Sequence, residues 1–117
     1  MNKLSIIICL LICSFTITTS AQTKTEDEVQ HLLQYISNAG CTFTRNGTDH
    51  TPGDAQQHIL RKYNYVKNKV STTEQVIKYA ATKSSFTGKP YTITCPGQET
   101  VPSSQWLTEE LIKYRAQ

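Results

Sequence analysis

The segment Cys41-Thr42-Phe43-Thr44-Arg45 decides the fold of this chain. It alternates strictly, with Cys41 and Phe43 on one face and two threonines on the other, as a half-buried β-strand requires. A second segment, Tyr91-Thr92-Ile93-Thr94-Cys95, repeats the alternation. Turn-forming residues follow both segments, Asn46-Gly47 after the first and Pro96-Gly97 after the second. We therefore expect two short strands.

The two cysteines indicate how these strands pair. An antiparallel arrangement brings the residues of the apolar faces into register as three pairs: Cys41 with Cys95, Phe43 with Ile93, and Arg45 with Tyr91. A parallel arrangement matches only one such pair, so an antiparallel two-stranded sheet is expected. Two strands alone are marginally stable in water, and helices must cover their apolar face.

Four amphipathic helices are predicted around the strands. The first begins at the capping box Thr25-Glu26-Asp27-Glu28 and ends at Gly40. The second opens at Thr51-Pro52-Gly53-Asp54, with Thr as the cap and Pro at the first helical position. The third follows a further capping box, Ser71-Thr72-Thr73-Glu74, and the last covers about residues 103–114. The predicted fold class is α+β, four helices on a small antiparallel sheet with one disulfide.

The N-terminus predicts export. Lys3 precedes an apolar run at residues 4–17 and a tail of small residues at 18–21, the order typical of a secretory signal peptide cleaved after Ala21. Residues 22–117 then form one small domain that retains only Cys41 and Cys95. In an oxidising compartment this pair is expected to form a structural disulfide rather than a metal site or a nucleophile.

The small net charge of the chain argues against nucleic-acid binding. The formal net charge of the whole chain is +3, and removal of Lys3 with the leader lowers it further. The basic residues of the second helix are interpreted as a solvated face: Arg61, Lys62, Lys67 and Lys69. The helical tyrosines Tyr65 and Tyr79 are candidates for an exposed contact surface.

The predicted register brings polar residues from separate segments to one end of the strand pair. The segment that leaves the first strand, residues 45–50, emerges beside the segment that enters the second, residues 88–91. The candidate binding residues at this end are Arg45, Asn46, His50, Asp54, His58, Ser85, Lys89 and Tyr91. Cationic side chains and a helix N-terminus favour an anionic guest there. The leading hypothesis is a non-enzymatic binding or interaction module.

Two alternatives stay open. The first is a small hydrolase or metal-dependent enzyme that uses His50 as its base, with His50, Asp54 and His58 as conceivable zinc ligands. Against it, the chain has no HExxH motif, and no nucleophile elbow surrounds Ser84 and Ser85. The second is a purely structural protein in which these residues hold loops and Arg45 pairs internally with an aspartate. No catalytic residue, metal site or cofactor is assigned.

Short motifs in the same order along the chain resemble the YfeK-like family of small exported bacterial proteins of unknown function. They are Arg45-Asn46-Gly47, His50, Asp54-Ala55, His58-Ile59, Thr73-Glu74, Ser84-Ser85, Gly88-x-Pro90-Tyr91 and Trp106-Leu107. The resemblance implies a periplasmic or secreted protein and gives no activity. The expected partner is an envelope protein or a small anionic ligand, with neither nucleic acid nor a stable membrane anchor after cleavage of the leader.

Overall fold

The computed structural model describes residues 19–117, and these fold as an α+β domain. The elements in chain order are α1 (Thr19–Asn38), β1 (Thr42–Arg45), β2 (Thr48–His50), α2 (Pro52–Val66), α3 (Thr73–Ala80), β3 (Thr92–Thr94), β4 (Val101–Pro102) and α4 (Ser103–Arg115). A 3-10 turn at Lys67–Lys69 follows α2. The predicted signal peptide covers residues 1–21, of which 1–18 lie outside the described residues. Within the described part, no helix combines the length and hydropathy that a bilayer crossing demands.

The predicted central strand pair is confirmed. Strands β1 and β3 are antiparallel, and Phe43 lies opposite Ile93. One residue beyond the pairing Thr42 to Thr94, Cys41 and Cys95 form the disulfide, with their Cα atoms 4.2 Å apart. This separation belongs to the antiparallel pairs whose side chains approach most closely.

The sheet has four strands rather than the predicted two. Its order is β2-β1-β3-β4, and every neighbouring pair is antiparallel. Asn46 and Gly47, predicted only to end the first strand, form the two-residue turn of a β-hairpin. Both have positive φ, 53° and 78°, as a type I′ turn needs. The hairpin therefore carries His50 back alongside β1.

The cap of α2 agrees with the prediction, whereas that of α3 is displaced by one residue. The hydroxyl of Thr51 accepts a hydrogen bond from the backbone N–H of Asp54 at 3.2 Å, and Pro52 is the first residue of α2. In α3 the capping box consists of Thr72 and Gln75. Thr72 is the cap because its hydroxyl accepts the backbone N–H of Gln75 at 3.2 Å.

Helix α1 begins earlier than predicted. It starts at Thr19, so Thr25 lies inside the helix and is not its cap. Between these two positions no proline or glycine interrupts the helix. The Thr25 hydroxyl instead donates to the carbonyl of Ser71, which joins α1 to the segment before α3.

The core lies between the helices and one face of the sheet. Helix α1 packs against α2 and α4, and α3 packs against the same two helices. The apolar residues of α3 and its C-cap are all buried, namely Val76, Ile77, Ala80 and Ala81. On α4, Trp106 is only partly buried and stacks on Tyr35 at 4.3 Å, whereas Leu107 and Leu111 fill the core.

Ion pairs around one buried carboxylate join three helices. Glu28 on α1 is only 3% exposed, and the guanidinium of Arg115 on α4 binds it through two hydrogen bonds of 2.8 and 2.9 Å. Arg115 also binds Glu74 on α3 at 2.6 Å. These hydrogen bonds lower the pKa of both glutamates. The cluster thereby links α1, α3 and α4.

Candidate functional site

A cleft of about 180 Å³ lies between the hairpin and α2. His50 lies directly opposite Phe43 in the pairing of β2 with β1, and directly opposed residues point to the same face of a sheet. Arg45, two residues after Phe43, points to that face as well. The cleft is lined by Phe43, Arg45, His50, Asp54, Ala55, Gln57, His58 and Arg61. We call it the hairpin cleft.

The other wall of the hairpin cleft is one face of α2. Asp54, His58 and Arg61 are four and then three residues apart, a spacing that places them in one row along a helix. Ala55 is buried beneath this row and Asp54 is exposed at its N-terminal end. The cap at Thr51 fixes where the helix begins, and hence which side chains face the hairpin.

The imidazole ring of His50 contains an unsatisfied hydrogen-bonding atom. Its Nε2 atom is buried and has no hydrogen-bond partner among the described residues. Buried polar groups are nearly always paired, and an unpaired one costs about 1–3 kcal/mol. A ligand that hydrogen-bonds this nitrogen would remove that cost.

His58 is neutral at pH 7. Burial lowers its pKa to about 4, and the positive charges of Arg45, Lys62 and Arg61 act in the same direction. Its Nε2 atom lies 2.9 Å from the hydroxyl of Tyr91. His58 therefore takes part in the site as a hydrogen-bonding group and not as a cation.

Tyr91 supports His58 from below the cleft. It is 1% exposed, and its hydroxyl accepts a hydrogen bond from the ammonium of Lys62 at 3.0 Å. Because an ammonium can only donate, the Tyr91 proton is left to be donated to His58 Nε2. Lys62 also donates to the carbonyl of Lys83 at 2.9 Å. The Lys62 ammonium also lies 5.0 Å from the centre of the Tyr91 ring.

Four of the candidate residues do not line the hairpin cleft: Tyr91, which contacts it only through His58, and Asn46, Ser85 and Lys89. Asn46, at the turn of the hairpin, donates to the Ser84 hydroxyl at 3.3 Å and accepts from Thr87 at 2.6 Å. Ser85 lines a neighbouring cleft. Lys89 is exposed, and its backbone N–H donates to the Thr87 hydroxyl. The hairpin turn and the loop before β3 do lie close together, but these hydrogen bonds join one segment to the other.

Arg61, which was assigned to a solvated face, also lines the hairpin cleft. Its spacing of three residues from His58 and seven from Asp54 places it on the same helical face as those candidates. Arg61 is exposed and also borders the neighbouring cleft.

The alternatives considered from the sequence can be compared with this geometry. Within residues 19–117, the ion pairs are those of His31 with Glu110 and of Arg115 with Glu28 and Glu74, so Arg45 is not paired with an aspartate. The hydroxyl of Ser84 accepts three hydrogen bonds, a structural task. In the same residues, no group of three His, Cys, Asp or Glu side chains is placed to hold a metal ion.

Comparison with known proteins identifies the family. A family model described as a family of unknown function, DUF5329, matches residues 23–115. The chain is 29% identical over 92 residues to "Uncharacterized protein YfeK" of Salmonella typhimurium (strain LT2), a match covering 78% of this chain and 77% of that protein. No solved structure matches the chain significantly. The resemblance to YfeK-like proteins is thus confirmed, and the chain belongs to the family of unknown function DUF5329.

Proposed function

We propose that the protein is an exported, non-enzymatic binding module whose hairpin cleft holds a small anionic group, a carboxylate or a phosphate. The observation that carries this proposal is the meeting of Arg45 and Arg61 around the buried, unpartnered Nε2 atom of His50. A guanidinium presents forked N–H donors that match the oxygens of both kinds of anion.

The cationic side chains of the cleft are available to a ligand. Neither Arg45 nor Arg61 takes part in an ion pair among residues 19–117. Besides burial, the positive charges of Arg45 and Arg61 lower the pKa of His58, which supports a field in the cleft that favours negative charge. The N-terminus of α2, close to Asp54, adds a further favourable dipole.

Asp54 opposes this preference and therefore offers a test of it. It is the one acidic residue that lines the hairpin cleft within the described residues. Its carboxylate would repel an anion with about 1 kcal/mol if a few ångströms away in water. Replacing it by the isosteric asparagine should tighten anion binding by about fivefold.

The predicted signal peptide and the disulfide support export. A stable disulfide of this kind is typical of oxidising compartments such as the periplasm. Expression of the full-length gene in a Gram-negative host, followed by mass spectrometry of the protein in the periplasmic extract, tests both points. We expect a chain that begins at Gln22; a chain that retains residues 1–21 in the cytoplasm would contradict the proposal.

The binding proposal is tested by nuclear magnetic resonance with inorganic phosphate and with acetate at pH 7. Saturable shifts are expected at Arg45, His50 and Ala55, and Arg45→Gln should weaken binding by about tenfold or more, the loss of a charged hydrogen bond. Lys113→Gln, an exposed cation on α4, is the matched control and should change nothing. Absence of saturable shifts in the wild-type protein at millimolar anion would refute the proposal.

The same variants separate binding from a structural role. If Arg45→Gln and His50→Gln each lower the free energy of unfolding by more than about 2 kcal/mol and neither anion binds, these residues hold the loops together. If the variants fold with near wild-type stability and lose the anion, their role is binding.

A further inference from the structure

Most of the large hydrophobic side chains that are exposed lie on or beside one surface of the molecule. Among the described residues, the large hydrophobic side chains that are exposed are Tyr65, Tyr79, Phe86 and Ile112, with exposures of 76%, 50%, 99% and 61%. Tyr65 and Tyr79 line a cleft of about 350 Å³ together with Ser85, the residue before Phe86. Tyr65 and Tyr79 therefore share one surface of α2 and α3, and the loop that carries Phe86 borders that surface.

Cations surround these aromatic rings. Arg61 and Lys62 line the same cleft, to which no acidic residue of the described part contributes. The ammonium of Lys69 lies 4.6 Å above the ring of Tyr65, and that of Lys78 lies 5.3 Å from the ring of Tyr79. We call Tyr65, Tyr79, Phe86 and these four cations the basic-aromatic surface.

Although the net charge of the chain is small, its basic residues are concentrated in the middle of the sequence. Residues 42–92 contain eight Lys and Arg against three Asp and Glu, whereas residues 22–41 and 93–117 together contain three against six. The basic residues thus come from α2, α3 and their loops, and the acidic ones from the N- and C-terminal parts. A surface with one sign of charge attracts polyanions even when the whole molecule is nearly neutral.

Phe86 is held in its exposed position by a hydrogen-bonded loop. The Ser84 hydroxyl accepts from the backbone N–H of Phe86 at 3.2 Å and of Thr87 at 3.3 Å, and the Gly88 N–H donates to the Ser84 carbonyl at 3.0 Å. Asn46 ties the loop to the hairpin through both Ser84 and Thr87. Such ordering lowers the entropy that binding would otherwise cost, and a fully exposed aromatic ring on an ordered loop is typical of a contact site.

We propose that the basic-aromatic surface docks reversibly on a bilayer rich in anionic phospholipid headgroups. Phe86 enters the interfacial layer, Tyr65 and Tyr79 lie at headgroup level with their hydroxyls in water, and Lys69 and Lys78 reach the phosphates. The lysine content favours a lipid surface over a protein partner, because lysine is depleted in protein interfaces while arginine and aromatic residues are enriched. This function goes beyond anion binding in the hairpin cleft and does not require it.

Co-sedimentation with vesicles tests the proposal. The protein is purified from the periplasmic extract of cells that express the full-length gene, and its N-terminus is read by mass spectrometry. Binding is expected to vesicles of mixed phosphatidylglycerol and phosphatidylcholine and not to pure phosphatidylcholine. Phe86→Ser should lower the partition coefficient by about tenfold and Lys78→Glu by about fivefold or more. Ile112→Ser and Lys113→Glu, on α4, are the matched controls and should bind as the wild type does.

Fluorescence locates the inserting residue. In the variant Phe86→Trp combined with Trp106→Phe, the emission should shift to the blue on adding the anionic vesicles, because the ring leaves water. Equal losses for Phe86→Ser and Ile112→Ser, binding to neutral vesicles as strong as to anionic ones, or capture of an acidic protein or nucleic acid with no vesicle binding would overturn the proposal. The phosphate titration of Phe86→Ser should remain that of the wild type, so this proposal and that for the hairpin cleft can fail separately.

Discussion

Acidification from pH 7 to pH 5 should destabilise the protein through His58. The imidazole is neutral in the folded protein because burial and the nearby charges of Arg45, Lys62 and Arg61 lower its pKa to about 4, with the ring of His50 also facing it. Its Nε2 atom accepts from Tyr91, an arrangement that protonation would break. In the unfolded chain the pKa returns to about 6.5.

The sign and size follow from these two pKa values. Between them the unfolded chain binds a proton that the folded protein does not, so the free energy of unfolding falls as the pH falls. From about pH 7 to about pH 5 the full effect would be about 2 kcal/mol. Because the His58 side chain is partly exposed and its charge interactions are screened, we expect about 1 to 2 kcal/mol.

Urea denaturation at both pH values, with and without the substitution His58→Gln, measures this effect. The wild type should lose about 1 to 2 kcal/mol more than the variant over the interval. Glu28 and Glu74 do not interfere, since their pKa values are lowered and the stability they contribute is lost only below about pH 4.5. An equal loss in both proteins would refute the assignment of a neutral, buried His58.

Three further predictions concern the framework that holds the cleft. Arg115→Met should lower the free energy of unfolding by about 2 to 3 kcal/mol, because it leaves the buried carboxylate of Glu28 unpaired, and Glu28→Gln in the same chain should recover part of this loss. Thiol titration of the denatured protein from the periplasmic extract should find no free sulfhydryl before reduction and two afterwards, and reduction should cost about 4 kcal/mol for a loop of this length. Gly47→Ala should destabilise by about 1 kcal/mol because its φ is +78°, whereas Gly53→Ala, in the first turn of α2 and without a positive φ, should be neutral or stabilising. Denaturation of the wild type and of each variant measures these changes in the free energy of unfolding. Equal effects of Gly47→Ala and Gly53→Ala would contradict the assigned turn.

The parts of the fold that could be predicted depend on local or covalent signals. Alternation with a period of two assigned Phe43 and Ile93 to the same face, and the disulfide left one register in which both fit. The start of α2 could be predicted because Thr51 and Pro52 act on the backbone beside them. These signals do not depend on how the rest of the chain folds.

The strands that were missed carry weak patterns. Strand β2 consists of Thr48, Asp49 and His50, with no aliphatic residue to mark a buried face. Its signal was Asn46-Gly47, a type I′ turn pair, which implies a returning strand and not only an end. Strand β4 has two residues, one of them a proline, which is tolerated because β4 is an edge strand.

Side-chain partners far apart in sequence could not be predicted. Arg115 and Glu28 are separated by 87 positions, and nothing near either residue indicates that Glu28 is buried. The same holds for His58, whose neutral state depends on burial and on the charge of Arg45 from β1. The candidate list included His50 and His58, but which residues share a cleft depends on how the hairpin packs on α2.

The resonance of the His50 ring nitrogen Nε2, followed during a phosphate titration at pH 7, reports on anion binding in the hairpin cleft itself. We expect this resonance to show a saturable shift in the wild-type protein and in Lys113→Gln, and no such shift in Arg45→Gln. A His50 resonance that stays unchanged while phosphate reaches millimolar concentration would contradict the claim that the hairpin cleft binds anions.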